Sequence, residues 1–176
     1  MVIAIESNEI VEKDEHRIYF TRSMGKYRER SSCFTCGYPL STEYIENDSK
    51  KYYNRGNEPN YIFYALLAGG VLICHRWLNS DGKEHREDGP AEIRFDINGN
   101  VRSESYMING EYQQRGILPN DIKYNRTLNG DIESYCHLYR DSDGMLYRED
   151  DGPTAITFRP DGTVLKEQYE DDYDFE

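Results

Sequence analysis

The sequence is short of positive charge, of cysteine and of long apolar runs, and each shortage narrows what the chain does. Its 21 Lys and Arg residues are outnumbered by 33 Asp and Glu, for a formal charge of −12. Nucleic-acid affinity comes largely from neutralising phosphates with cationic side chains, so direct DNA or RNA binding is disfavoured. The longest apolar stretch, Ile62 to Cys74, is too short to span a bilayer and is interrupted by Gly69-Gly70, so it reads as two buried strands around a turn and no membrane role is expected. Met1 to Glu6 has neither a basic start nor a small-residue cleavage site, which predicts a cytoplasmic protein. The four cysteines are then expected as thiols or metal ligands rather than disulfides.

Catalytic signatures are also missing. There is no Walker loop, no Gly-x-Ser-x-Gly elbow and no His-Glu-x-x-His helix. No segment repeats its apolar residues with a helical period.

Tyrosine, by contrast, is plentiful, with 16 residues in a chain that is 13% aromatic. Tyrosine favours strands and half-exposed faces, so the composition leans toward β structure. The chain also repeats itself. Cys-His-Arg-Trp-Leu-Asn-Ser-Asp-Gly from Cys74 returns as Cys-His-Leu-Tyr-Arg-Asp-Ser-Asp-Gly from Cys136, and both copies run on into Arg-Glu and Asp-Gly-Pro. One residue is inserted in the second copy, at Asp150 or Asp151. Further on, Pro90-x-x-Ile93-x-Phe95 parallels Pro153-x-x-Ile156-x-Phe158. Two weaker copies carry Arg55-Gly56-x-x-Pro59-Asn-x-Ile62-x-Tyr64 and Arg115-Gly116-x-x-Pro119-Asn-x-Ile122-x-Tyr124. The unit is about 30 residues, and alternate units match best, for a longer period of about 60.

Each unit has turn signals that accept positive φ: Asp81-Gly82, Asn98-Gly99, Asn109-Gly110, Asn129-Gly130, Asp143-Gly144 and Asp161-Gly162. Between turns, Ile93, Phe95 and Ile97 alternate with Glu92, Arg94 and Asp96, which predicts that the apolar set faces a core and the charged set faces water. The expected fold is all-β: an elongated, twisted antiparallel meander of tandem hairpin repeats. Residues 1–43 form an N-terminal β segment or degenerate repeat, residues 44–76, 77–105, 106–138 and 139–169 form four repeats, and residues 170–176 form an acidic tail.

The stretch Trp77 to Ala91, with Ser-Asp-Gly-Lys-Glu-His-Arg-Glu-Asp-Gly-Pro-Ala, resembles the His-Arg-x-Asp-Gly-Pro-Ala repeats of phage and some bacterial proteins. Those look like distant relatives of MORN-type repeats, and YwqK-like antitoxins are a related comparison. The resemblance extends over Tyr139 to Tyr169, where Tyr147 replaces His85. It implies a single-layer hairpin sheet used for protein contact, in a phage or toxin–antitoxin setting, within the host cytoplasm if phage-encoded.

In the repeated element, Asp88 is expected to bond its own turn, Gly89 to supply an unusual φ, Pro90 to stiffen the exit and Arg86 to lie across a carboxylate. His85, Arg86, Asp88, Gly89, Pro90, Arg148, Asp151, Gly152 and Pro153 are thus read as structural. Cys33 and Cys36 have the spacing of a zinc knuckle, which Cys74 and His75, or Cys136 and His137, could complete, with three thiolates and one imidazole or with four thiolates. Buried thiols are the alternative. Partner contact is expected from the aromatic unit starts Trp77, Tyr106, Tyr139 and Tyr169, and from Asp171, Asp172 and Tyr173 in the tail.

Three functions fit these residues. The first is a non-catalytic adaptor or stoichiometric inhibitor, needing no cofactor, that presents an acidic, tyrosine-rich face to a basic protein surface. Edge strands would also permit homo-oligomers. The second is a small-ligand binder, for instance of a nucleotide, built from Arg and Tyr. The third is an enzyme in which His16, His75, His85 and His137 converge.

Overall fold

The computed structural model describes residues 9–13, 17–34, 39–47, 51–67, 70–148 and 150–169. Every regular element among them is a β-strand, and none is a helix of the length and apolarity needed to cross a membrane. Contacts divide the chain into two compact units, Met1–Lys83 and Glu84–Glu176.

The first unit is an antiparallel meander of β1 (Glu9–Lys13), β2 (Arg17–Met24), β3 (Tyr27–Phe34), β4 (Pro39–Glu46), β5 (Tyr61–Leu67) and β6 (Gly70–Arg76), each paired with its sequence neighbour. The second holds β7 (Glu92–Phe95), β8 (Val101–Ser105), a small hairpin of β9 (Met107–Ile108) and β10 (Glu111–Tyr112), then β11 (Asp121–Arg126), β12 (Ile132–Leu138), β13 (Ala155–Phe158) and β14 (Val164–Gln168). Its sheet order is β7-β8-β11-β12-β13-β14, all antiparallel, with the β9–β10 hairpin outside it.

Turn chemistry sets the hairpins. Between β7 and β8, Asp96 N–H donates to Asn100 O at 2.9 Å, Gly99 N–H donates to Asp96 O at 3.0 Å, and Gly99 has φ 82°. This is a three-residue loop closed by a glycine bulge, and the register shifts beside it, between Arg94 and Phe95. The same bonds close the β11–β12 turn at Gly130 and the β13–β14 turn at Gly162. Asn109-Gly110 differs: both residues have positive φ, 55° and 85°, so β9 and β10 join through a two-residue primed turn.

The alternation around Ile93 is real, but the covered side is the reverse of the expected one. Register places Glu92, Ser105, Asp121, Leu138 and Ala155 in one row across the second sheet. All five are buried, and Glu92 and Asp121 are only 6% and 4% exposed. Ile93 and Phe95 are half-buried on the other face, and Ile97 sits 64% exposed in a turn. Connecting segments cause the reversal, because Tyr112 of β10 packs against the Asp121, Glu92 and Ser105 side of the sheet. The buried carboxylates are compensated: Arg140 Nε donates to Asp121 Oδ2 at 3.0 Å, Ser105 Oγ to Asp121 Oδ1 at 3.1 Å, and Arg94 Nε to Glu92 Oε1 at 2.7 Å.

One set of contacts fastens the loops in several places. Asn60 Nδ2 donates to Leu78 O at 2.7 Å while Leu78 N–H donates to Asn60 Oδ1 at 2.8 Å. Asn120 holds Arg140 in the same two-way clasp, at 2.7 and 2.9 Å. The Arg55 guanidinium lies 3.7 Å from the Tyr44 ring centroid, Arg115 3.6 Å from Tyr106, and Arg148 4.2 Å from Tyr139. Each of these arginines also donates to a proline carbonyl, of Pro59, Pro119 and Pro153 respectively.

Candidate functional site

The repeated Arg-Glu-Asp-Gly-Pro element serves packing. Arg86 Nε donates to Asp88 Oδ1 at 3.0 Å, and Arg148 Nη2 donates to Asp150 Oδ2 at 2.9 Å. Asp150, rather than Asp151, therefore occupies the place of Asp88, and Asp151 is the inserted residue, accommodated at φ 53°. Gly89 and Gly152 do not have positive φ, contrary to expectation. Their lack of a side chain is used for close approach: a Cβ at Gly89 would lie 3.0 Å from Arg86 Cζ, and one at Gly152 2.9 Å from Arg148 Cζ. Pro90 and Pro153 follow these glycines directly. His85 Nδ1 accepts a hydrogen bond from Asn109 N–H at 3.3 Å, which ties the element to the β9–β10 turn.

The zinc set is not assembled by its described members. Cys74 shares a row with Phe63, Ser41 and Ser32, three strand spacings or about 14 Å from β3. Cys33 adjoins Ser32 and points to the opposite face, as does His75 from Cys74. Among the described residues no group of three or more potential ligands converges, and Cys36 lies outside them. Cys74 is buried at 2% exposure.

Two of the expected surface anchors are interior. Trp77 and Tyr139 are each only 8% exposed, and Tyr139 is covered by Arg148 while its hydroxyl donates to Ile117 O at 3.2 Å. One side of the Tyr106 ring is taken by Arg115, whereas Tyr169 is 42% exposed. Asp171, Asp172, Tyr173 and His16 lie outside the described residues.

Strand alternation instead builds an aromatic surface on the face opposite Glu92. Ile93, Phe95, Ile122, Tyr124, Tyr135, His137, Ile156 and Phe158 share it by register, and all are half-buried. The Tyr135 and Phe158 rings stack with centroids 5.0 Å apart, and His137 lies 4.7 Å from Phe158. Among the described strands of the second unit the substantial contacts run between sheet neighbours, and each of these eight side chains keeps partial exposure. Glu104 and Glu167 join it from β8 and β14. Tyr124 Oη donates to Glu104 Oε2 at 3.0 Å; burial first, and the Glu104 charge next, push the phenol up to about 12. Burial lowers His137 below the ordinary imidazole value. The sign of this surface was missed because apolar alternation marks two faces without saying which one the loops cover.

The first unit has a different feature, a groove of about 270 Å³ on the face that carries Cys74. One row of this face reads Tyr19, Ser32, Ser41 and Phe63, from β2 to β5. Two small residues stand between two rings, and their hydroxyls bond each other at 2.9 Å, so the sheet surface dips there. The next row supplies Arg30, Glu43 and Tyr61, and Arg17 lines the groove beyond Tyr19. The Arg30 guanidinium sits 5.1 Å from the Tyr19 ring centroid. Burial raises the Glu43 carboxyl above its ordinary value, with the Arg30 charge opposing the rise.

Comparison with known protein families, with curated protein sequences and with solved structures finds no match.

Proposed function

We propose that the chain is a non-catalytic protein-interaction module, a stoichiometric inhibitor or adaptor that lays the aromatic face of its second unit on a partner protein. The observation that carries this reading is the half-open sheet face around Tyr135 and Phe158, apolar and aromatic where the covered face is lined by Glu92, Ser105 and Asp121. Leaving apolar area in water while burying ion pairs opposes folding stability, and local choices that oppose the fold tend to mark function. Rigid aromatic side chains concentrate binding energy at little entropic cost. The acidic groups on this face, Glu104 and Glu167, together with a formal charge of −12, favour a partner whose apolar patch is bordered by Lys and Arg. The likeness of Trp77 to Ala91 to phage and antitoxin-type repeats suggests a phage anti-defence or antitoxin-like setting, in the cytoplasm.

The test is capture of partners from lysate by the tagged chain, beside a Tyr135→Ser/Phe158→Ser variant shown to be folded. A stoichiometric basic protein retained by the parent chain, weakened by salt and lost with the variant, supports the reading. Equal capture by both chains, or no partner at any salt, contradicts it.

A further inference from the structure

We propose that the main-chain edge at residues 146–148 is a docking site for an acidic aromatic segment, and that its occupant is residues 170–176 of the same chain. The first copy of the repeat shows what such an edge receives. There Arg86 N–H donates to Met107 O at 3.1 Å, so the segment that follows the aromatic start Tyr106 runs back along the Arg-Glu-Asp-Gly-Pro element. Arg148 is the counterpart of Arg86, as its contact with Asp150 establishes. Among the described residues no acceptor is bonded to the Arg148 main-chain N–H, and a backbone donor beside a folded sheet normally finds one. The approach to the edge is the same in both copies. Ala91 N–H donates at 2.9 Å to the carbonyl of Ser105, which precedes Tyr106, and Thr154 N–H donates at 2.8 Å to the carbonyl of Gln168, which precedes Tyr169. A chain leaving Tyr169 sets out from the same anchor as one leaving Tyr106, and Glu170 O falls where Met107 O accepts.

Three aromatic unit starts are closed by a returning segment: Tyr53 N–H donates to Tyr44 O at 2.8 Å, Gln113 N–H to Tyr106 O at 2.9 Å and Tyr147 N–H to Tyr139 O at 3.0 Å. Residues 170–176 are long enough to match the shortest of these returns, that of Gln113. In that return Tyr112 reaches the covered face beside Asp121 and Glu92, and its hydroxyl bonds the Ser105 side chain. By the same count Phe175 takes the place of Tyr112. The row it meets has changed in kind: Glu92 faces Ser105 across the strands of the first copy, and Ala155 faces Gln168 in the second. The carboxylate has gone from the row and the hydroxyl from the ring, so the two changes suit each other. Tyr173 stands where Gly110 has φ 85°, a conformation that disfavours a bulky residue. The turn is therefore of another type, and the docking rests on Glu170 and Phe175.

Amide exchange and nuclear Overhauser contacts in the isotope-labelled full chain test this, with Phe175→Ser and Phe175→Leu measured alongside. The Arg148 amide exchanges about tenfold more slowly in the parent chain than in Phe175→Ser, and Phe175→Leu restores most of the difference. The Arg86 amide, held by Met107, exchanges at the same rate in all three and shows that the fold is intact. The Phe175 ring contacts the Ala155 methyl group at every protein concentration. Equal exchange of the Arg148 amide in the parent chain and in Phe175→Ser overturns the proposal and leaves the edge to a segment of another protein. Ring contact that disappears on dilution overturns it as well, because the occupant is then a second copy of the chain.

Discussion

The rings of Tyr135 and Phe158 lie 5.0 Å apart and 15° from parallel, on neighbouring strands and on the half-exposed face of the second sheet. Cross-strand aromatic pairs of this kind contribute about 0.5–1.5 kcal/mol beyond the area they bury. A double-mutant cycle with Tyr135→Leu and Phe158→Leu, read by urea unfolding, is expected to give a coupling in that range. The proposed interface predicts that partner affinity falls further in these variants than stability does.

Asn120 fastens the Arg140 segment to the second sheet. Buried at 3% exposure, it both donates to and accepts from the Arg140 main chain. Asn120→Ala strands a carbonyl and an amide together, and a destabilisation of about 2–4 kcal/mol is expected in urea unfolding. Asn60→Ala, which breaks the matching clasp on Leu78, has a loss of the same order. Asn120→Asp can donate to the Arg140 carbonyl only while its carboxyl is protonated, and then falls between wild type and Asn120→Ala; ionised, it keeps the acceptor, loses the donor and sets a buried negative charge against that carbonyl.

Gly89 and Gly99 are glycines for different reasons, and the difference is measurable. At Gly99 a Cβ meets nothing within 4 Å, but φ is 82°, so Gly99→Ala is strained by its backbone, by about 1–2 kcal/mol. At Gly89 a Cβ would lie 3.0 Å from the Arg86 guanidinium carbon, so Arg86 must give way by a few tenths of an ångström. Gly89→Ala therefore couples to Arg86→Ala in a double-mutant cycle, whereas Gly99→Ala adds to it independently.

Stability is expected to decline on mild acidification. Burial lowers the His75 and His137 imidazoles below their ordinary value, so below about pH 6.5 the unfolded chain binds protons that the folded chain does not. Their contribution is fully present above that pH and is lost as pH falls toward the depressed folded values. Glu43, raised by burial, acts with the opposite sign at lower pH. Unfolding free energies at pH 5 to 8 should show a slope that flattens in a His75→Gln/His137→Gln variant.

Much of the architecture was legible because it rests on local chemistry. Asn-Gly and Asp-Gly pairs mark the turns, and the positive φ at Gly82, Gly99, Gly110, Gly130, Gly144 and Gly162 agrees with those marks. Strand alternation also held. What alternation could not supply was the sign of the faces: Ile93 and Glu92 alternate equally well whichever side the loops take, and Tyr112 and Arg140 decide it by lying on the Glu92 and Asp121 side. Trp77 and Tyr139 were drawn toward the surface by residue type alone, although the arginine that covers Tyr139 lies nine residues further on, at Arg148. The groove was hidden for a related reason, since Tyr19, Ser32, Ser41 and Phe63 meet only through the register of four strands.

Hydroxyl-radical footprinting of the free chain and of its complex with a captured partner tests the central claim most directly. The account predicts that Tyr124, Tyr135 and Phe158 are modified in the free chain and protected in the complex, while Trp77 and Tyr139 react slowly in both. Rapid modification of Trp77 and Tyr139 in the free chain, or a complex in which Tyr135 and Phe158 stay as reactive as before, would contradict it.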